Sequence, residues 1–192
     1  AAPATFEDLV TAANAVATSD MGGFFAGNNG GVDVLGTMLI WASGHDQLDA
    51  DRTAAAFLTD DFYAALSAYR DFYQSAGLLK AASADWFSGA AFVNGETAMQ
   101  WGGLWSLPDI IAAHGDDVGV LPFPAIGAKG RVAVPFGAFG SCVAARGKNV
   151  AAAKEFVKWL WIDQTDKQVD FSDSYGTHIP ARKSLVATAK KL

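Results

Sequence analysis

The sequence predicts an α/β fold in one domain that spans residues 1–192. Two observations predict this class: capped segments with apolar residues at helical spacing alternate with short apolar runs of strand length, and no repeat or low-complexity linker divides the chain. The composition agrees, because 51% of the residues are apolar and 18% are charged, which is typical of a globular protein with a sizeable core.

Helices are predicted from capping residues that precede apolar spacing. Thr5 and Thr59 are each followed by acidic residues, which favour the positive end of a helix, and Asn149 precedes the last clear helical pattern. The remaining helices are expected over residues 34–42 and 84–93 and from Ser106 onwards.

Strands are predicted over residues 97–101, 118–121, 131–134 and 141–145. Residues 22–31 are rich in glycine and asparagine and are expected to break the chain between the first two helices. The single cysteine, Cys142, lies in the last predicted strand and is expected to be buried, and a single cysteine cannot form an internal disulfide.

The charge balance excludes several classes of function. A net charge of −6 with scattered basic residues argues against nucleic-acid binding, which requires clustered lysine and arginine. The chain has no glycine-rich phosphate loop and no thiolate-rich metal site, so neither a cofactor nor a metal is predicted.

No catalytic pattern is present either. The histidines at 45, 114 and 178 lie far apart in sequence, and none has a partner at metal-ligand spacing. The acidic pairs Asp60–Asp61 and Asp116–Asp117 are explained by a helix start and a solvated turn. The chain is therefore not predicted to be an enzyme.

The most informative segment runs from residue 91 to residue 105, where a helix, a turn and a strand precede two glycines and an indole. Gly102 and Gly103 permit close approach of the backbone to a ligand, and Trp105 presents an aromatic face that suits the apolar face of a sugar ring. On these residues alone, a core tryptophan at a tight turn is an equally good interpretation.

This segment resembles a signature of the solute-binding proteins of carbohydrate ABC importers, the group that includes the maltose-binding protein. The matching residues are Phe92, Gly95, Ala98, Met99, Gly103 and Trp105. Four further stretches resemble family motifs in the same order along the chain. They begin at Pro3, Val118, Asn149 and Gly176. Together they cover nearly the whole chain.

The resemblance implies a type II periplasmic-binding-protein-like lobe with a central sheet flanked by helices. It places the chain in the C-terminal lobe of a two-lobe protein whose N-terminal lobe is absent from this chain. In such proteins the lobes close on a solute by hinge motion and deliver it to an ABC permease. An extracytoplasmic protein, periplasmic or anchored as a lipoprotein, is therefore expected, with a neutral sugar as its ligand.

The resemblance also assigns site residues. Trp105 corresponds to the stacking aromatic, and Gly102 with Gly103 to the turn that carries it. Gly137 and Phe139 fall in a glycine-rich stretch that lines the cleft in many relatives. Two further positions carry a structural alternative as well. They are Trp41, for which core packing is the favoured alternative, and Arg182, which a surface salt bridge explains equally.

Two alternatives remain open. The same architecture binds non-sugar solutes such as polyamines, metals or peptides, although several convergent carboxylates or paired tyrosines would then be expected. A carbohydrate-active enzyme module is the second alternative, and it would require a pair of carboxylates across the cleft.

Overall fold

The computed structural model describes residues 2–174 and 178–189. The chain divides into two compact units, one formed by Ala1–Gly103 with Asp109–Pro135 and the other by Leu104–Pro108 with Phe136–Leu192. The expectation of a single lobe over residues 1–192 stays a prediction.

The first unit is built on a three-stranded parallel sheet in the order β2-β1-β3, formed by β1 (Gly22–Phe25), β2 (Leu78–Leu79) and β3 (Thr97–Gln100). Phe24 in the central strand lies opposite Leu78 on one side and Met99 on the other. The sequence correctly predicted β3. The break predicted over residues 22–31 was wrong for the first four of them, which form the central strand. Strand β2 was not predicted.

Three long helices accompany this sheet: α1 (Phe6–Val16), α2 (Val32–Ala42) and α3 (Asp60–Gln74). The predicted caps are confirmed at two of them. The Thr5 side chain accepts from the amide of Asp8 while the Asp8 carboxylate accepts from the amide of Thr5, and the Thr59 side chain accepts from the amide of Phe62. Gly31 precedes α2 with a left-handed φ of 85° and no side-chain cap.

The core of the first unit is rich in phenylalanine. Phe6 in α1 meets Phe72 in α3 edge to face with ring centroids 5.9 Å apart, and it also contacts Phe123 at 6.0 Å. Phe24 brings the central strand to Phe72 at 6.1 Å. One cluster of buried side chains therefore joins the helices, the sheet and the segment after residue 120.

Gly23 sets how closely α1 approaches the central strand. A Cβ atom at this position would lie 2.0 Å from the carbonyl oxygen of Ala13, within the backbone of α1. Only glycine permits this separation without moving the helix, so the glycine pair that looked like a break is a packing requirement of the sheet.

The rest of the first unit contains the short α4 (Ala90–Val93) and most of α5 (Leu107–His114), which confirms the helix start predicted at Ser106. Residues 118–121 and 131–134 were predicted as strands, and this was wrong. An isolated antiparallel bridge joins Phe123 to Ala133 there, through two backbone hydrogen bonds of 3.1 and 2.9 Å. Such a bridge lacks the ladder that a strand requires.

The regular structure described in the second unit is helical, and residues 136–149 are irregular or turns. Helix α6 (Val150–Lys158) follows Asn149 as predicted and continues as a π-helical turn over Trp159–Asp163, and α7 (Thr165–Ser174) was not predicted. Residues 141–145 do not form the predicted strand, and Cys142 is exposed rather than buried. No helix in the described part of the chain combines the length and hydropathy needed to cross a bilayer.

Tyr69 supports a prediction about alkaline pH. Its buried hydroxyl donates to the carbonyl of Gly30 at 2.5 Å, and burial raises the pKa of Tyr69 from its usual 10.0 to about 12. A phenol with a raised pKa in the folded state stabilises the protein fully below pH 10, and this contribution disappears as the pH rises from 10 through about 12.

We therefore expect Tyr69→Phe to lower the free energy of unfolding by about 1–2 kcal/mol at neutral pH, because the Gly30 carbonyl loses its donor. The variant should also lose stability less steeply between pH 10 and 12 than the parent protein does. Urea unfolding across this range measures both effects. Tyr63→Phe, on the exposed side of α3, is the control, and equal slopes for all three proteins would contradict the assignment.

Candidate functional site

The parallel sheet brings three connecting segments to one edge. The chain leaves β1 through residues 26–31, leaves β2 through residues 80–86, and leaves β3 at Trp101. Because the carboxyl ends of parallel strands meet at the same edge, and ligands of open α/β sheets bind at that edge, this is the candidate site of the first unit.

Asp85 joins two of these segments. One of its carboxylate oxygens, Oδ1, accepts from the amide of Asn28 at 3.1 Å and from the amide of Trp86 at 2.8 Å. In return, the side-chain oxygen of Asn28 accepts from the amide of Ala82 at 2.8 Å. These reciprocal bonds hold the loop after β1 against the segment after β2.

The indole of Trp86 lies over the loop that follows β1. A Cβ atom on Gly27 would be 3.3 Å from Cδ1 of Trp86 and 3.3 Å from Oδ1 of Asp85. Gly27 is buried and has a φ of 136°, a conformation that favours glycine. The backbone therefore approaches the indole and the carboxylate more closely than a side chain would allow.

The same segment is also fixed to the third strand. The carbonyl of Trp86 accepts from Nε2 of Gln100 at 3.0 Å, and Oε1 of Gln100 accepts from the amide of Phe92 at 2.9 Å. Glu96, just before β3, accepts from the amide and the hydroxyl of Ser83, and these hydrogen bonds lower the pKa of Glu96. The segment after β2 is thus tied by hydrogen bonds both to the loop after β1 and to the third strand.

The residues assigned to the site by the family resemblance divide between the two units. Gly102 and Gly103 follow β3 in the first unit, next to Trp101, whose amide donates to the carbonyl of Phe25 at 2.8 Å. Trp41 lies in α2, half-buried against the core cluster. These positions do not test the roles assigned to Gly102, Gly103 and Trp41, so the roles stay predictions.

The other assigned residues belong to the second unit. Trp105 lies in a 3-10 turn, Leu104–Ser106, with 47% of its surface exposed. Gly137 has open space where a Cβ atom would stand, and Phe139 is 99% exposed. Arg182 donates to the carbonyl of Ile162 at 2.9 Å, a backbone contact that neither interpretation of this residue had included.

A family model described as that of the bacterial extracellular solute-binding protein matches residues 1–191. The chain belongs to this family. The match confirms the resemblance first seen in the motif that ends at Trp105. No curated protein was found to match the chain in sequence.

The structure of this solute-binding protein is similar to the crystal structure of an ABC transporter solute-binding protein from Thermotoga lettingae TMO, which was solved with α-D-tagatose bound. The TM-score is 0.72 and the sequences are 21% identical, over 98% of this chain and 49% of that chain. The likeness confirms the predicted α/β class and the periplasmic-binding-protein fold. This chain spans about half the length of the solved relative, since it covers 49% of it.

Sequence reasoning missed the polar part of the candidate site in this solute-binding protein. None of Asp85, Asn28 and Trp86 was predicted as a site residue. No local signal marks Asp85, because its hydrogen bond is to a residue 57 positions earlier in the chain. Within residues 2–174 and 178–189 the structure shows no group of three or more side chains that could hold a metal ion.

Proposed function

We propose that this chain is the substrate-binding component of an ABC importer and that it binds a neutral sugar or oligosaccharide. The observation that carries the proposal is the sheet edge, where backbone amides hold the Asp85 carboxylate and the Asn28 side chain and the Trp86 indole lies beside Gly27. Sugar sites combine an aromatic face for the ring with polar groups for the hydroxyls, and this edge supplies both. The tagatose-bound relative supports the same class of ligand.

The family resemblance assigns the stacking aromatic to Trp105, which belongs to the second unit. Its half-exposed indole follows Gly102 and Gly103, which stand directly after the third strand. An exposed tryptophan contributes little to a core, whereas its face retains most of its value for stacking on a sugar. We therefore assign Trp105 the stacking role, with Gly137, Phe139, Trp41 and Arg182 as further contacts.

A second lobe completes the site in our proposal. The chain corresponds to about half of a solved relative, of which it covers 49%, and the motif resemblance assigns it to the C-terminal lobe. In the complete protein, the N-terminal lobe would close over the sugar and present it to the permease outside the cytoplasm. The role is transport, with no chemical step on the sugar.

The proposal is tested by titrating the chain with D-tagatose, D-glucose and maltose while tryptophan fluorescence is followed. We expect one sugar to give a saturable change. Trp105→Ala should weaken this binding by at least about 10-fold, because it removes the stacking face. Trp159→Ala is a matched control, since Trp159 is 46% exposed and lies in the π-helical turn of the second unit.

Each outcome of the titration has a defined meaning. Saturable binding that Trp105→Ala weakens and Trp159→Ala does not would support the proposal and the stacking role together. Equal losses in both variants would count against the role of Trp105. If none of these sugars bound, either to the chain or to the chain joined to an N-terminal lobe, the sugar assignment would be wrong. Polyamines, metals and peptides would then be tested next.

A further inference from the structure

Asp85 and Asn28 each use only one of their two polar side-chain atoms in hydrogen bonds within the protein. Oδ1 of Asp85 accepts from two backbone amides, and Oδ1 of Asn28 accepts from one. Among the residues that the structure describes, neither Oδ2 of Asp85 nor Nδ2 of Asn28 has a hydrogen-bond partner. Each residue thus keeps one polar atom available at the same edge of the sheet.

The Asp85 and Asn28 side chains start from neighbouring points of the sheet edge, and each is anchored at one end. The amide of Asn28 is 3.1 Å from the Asp85 carboxylate, so both side chains start from adjoining points of one edge. Each side chain is anchored through its Oδ1 atom, which limits its rotation. Polar groups that are already fixed lose little conformational entropy when a ligand binds.

The two available atoms are opposite in hydrogen-bond character. An ionised carboxylate oxygen only accepts, and an amide nitrogen only donates. A hydroxyl group donates and accepts, so two neighbouring hydroxyls satisfy both atoms at once, one through its hydrogen and the other through its oxygen. An anionic ligand would instead meet the charge of Asp85.

We infer that Asp85 and Asn28 form a polar pair that selects ligands with two neighbouring hydroxyl groups, held beside the indole of Trp86. This inference rests on the proposed sugar-binding function and adds to it the two side-chain atoms that would hydrogen-bond to the sugar hydroxyls. A ligand that lacks one of the two hydroxyls leaves a desolvated polar atom unpaired, and such sites reject the deoxy analogue strongly. Neutral polyols are therefore accepted and sugar acids are disfavoured.

The pair can be tested with two isosteric exchanges. Asp85→Asn keeps the oxygen that accepts from the amides of Asn28 and Trp86 and turns the available acceptor into a donor. Asn28→Asp keeps the oxygen that accepts from Ala82 and turns the available donor into an acceptor. We expect each exchange to weaken binding by about 10- to 100-fold with little change in thermal stability.

The probe is whichever of D-tagatose, D-glucose and maltose binds the 192-residue chain most tightly, together with its monodeoxy analogues. The parent protein should bind one analogue far more weakly than the complete sugar, and Asp85→Asn should remove this difference. Asp20→Asn is the control for charge, because Asp20 precedes β1 and so lies towards the opposite edge of the sheet.

The inference is overturned by either of two results when the parent protein binds a sugar. One is an Asp85→Asn protein that binds this sugar as tightly as the parent does. The other is a weakened variant that still discriminates against every deoxy analogue as the parent does, since the residue would then act through the fold. A parent protein that binds none of the sugars, by itself or joined to an N-terminal lobe, overturns the proposed function as well, whereas the two results above overturn the polar pair alone.

Discussion

Replacing Gly23 by alanine is expected to lower the free energy of unfolding by at least about 3 kcal/mol, a large part of the stability of a typical domain. The new Cβ atom would lie 2.0 Å from the carbonyl oxygen and 2.5 Å from the carbonyl carbon of Ala13. Both atoms belong to the backbone of α1, so no side-chain rotation relieves the clash. The helix must move away from the central strand, and the core between them opens.

Gly36→Ala is the matched control for this prediction. Gly36 lies inside α2, and a Cβ atom there would meet nothing within 4 Å. Alanine is a better helix former than glycine, so this exchange should stabilise the protein by about 0.5–1 kcal/mol. Urea unfolding of both variants measures the difference. A Gly23→Ala protein as stable as the parent would mean that α1 does not pack on the strand at this distance.

The second large effect is expected at Phe72, whose replacement by alanine should cost about 3–5 kcal/mol. Phe72 is 1% exposed and its ring contacts both Phe6 and Phe24. Truncation therefore removes apolar area and also leaves a cavity where the first helix, the third helix and the central strand meet. Close packing of the surrounding backbone limits how far this cavity can collapse.

Phe139→Ala removes the same side chain at a position that is 99% exposed. It should change the free energy of unfolding by less than about 0.5 kcal/mol. Thermal and urea unfolding of the pair are the measurements. Similar losses in the two variants would mean that Phe139 is covered in solution. Phe139→Ala also enters the sugar titration, where weaker binding with unchanged stability would support its assigned contact.

The helices were predictable because their signals are local. Thr5, Thr59 and Asn149 each stand directly before a helix, and the apolar residues that follow at helical spacing indicate the helix itself. Helix α7 escaped prediction because its segment, residues 165–174, is largely polar and so lacks a clear apolar face. Its existence depends on neighbouring structure more than on its own sequence.

The strands were harder to predict for the opposite reason. A four-residue strand that begins with two glycines has the composition of a loop, and its pairing is decided by residues more than fifty positions away. The runs at 118–121 and 131–134 have strand composition, yet no neighbouring strand pairs with them beyond one isolated bridge. Strand propensity describes a fit to a partner that the sequence alone does not identify.

The same distinction applies to the candidate site. Trp105, Gly102 and Gly103 were found because they stand in one recognisable motif. Asp85 could not be found in this way, since its importance comes from a hydrogen bond to Asn28, 57 residues earlier in the chain. A motif of aromatic and glycine residues can be recognised in the sequence itself. A carboxylate that accepts hydrogen bonds from two loops can be recognised only in the folded structure, where the strands bring those loops together.

The all-parallel arrangement of the three strands also determines the order in which the molecule can assemble. The central strand ends at Phe25, but its partners begin only at Leu78 and Thr97. A ribosome adds about 5–20 residues each second, so the emerging central strand waits several seconds for its neighbours. During this interval its backbone groups are open to other chains, and pairing across such long loops is slow. A chaperone that holds the chain unfolded would protect the open edges of the central strand during this interval.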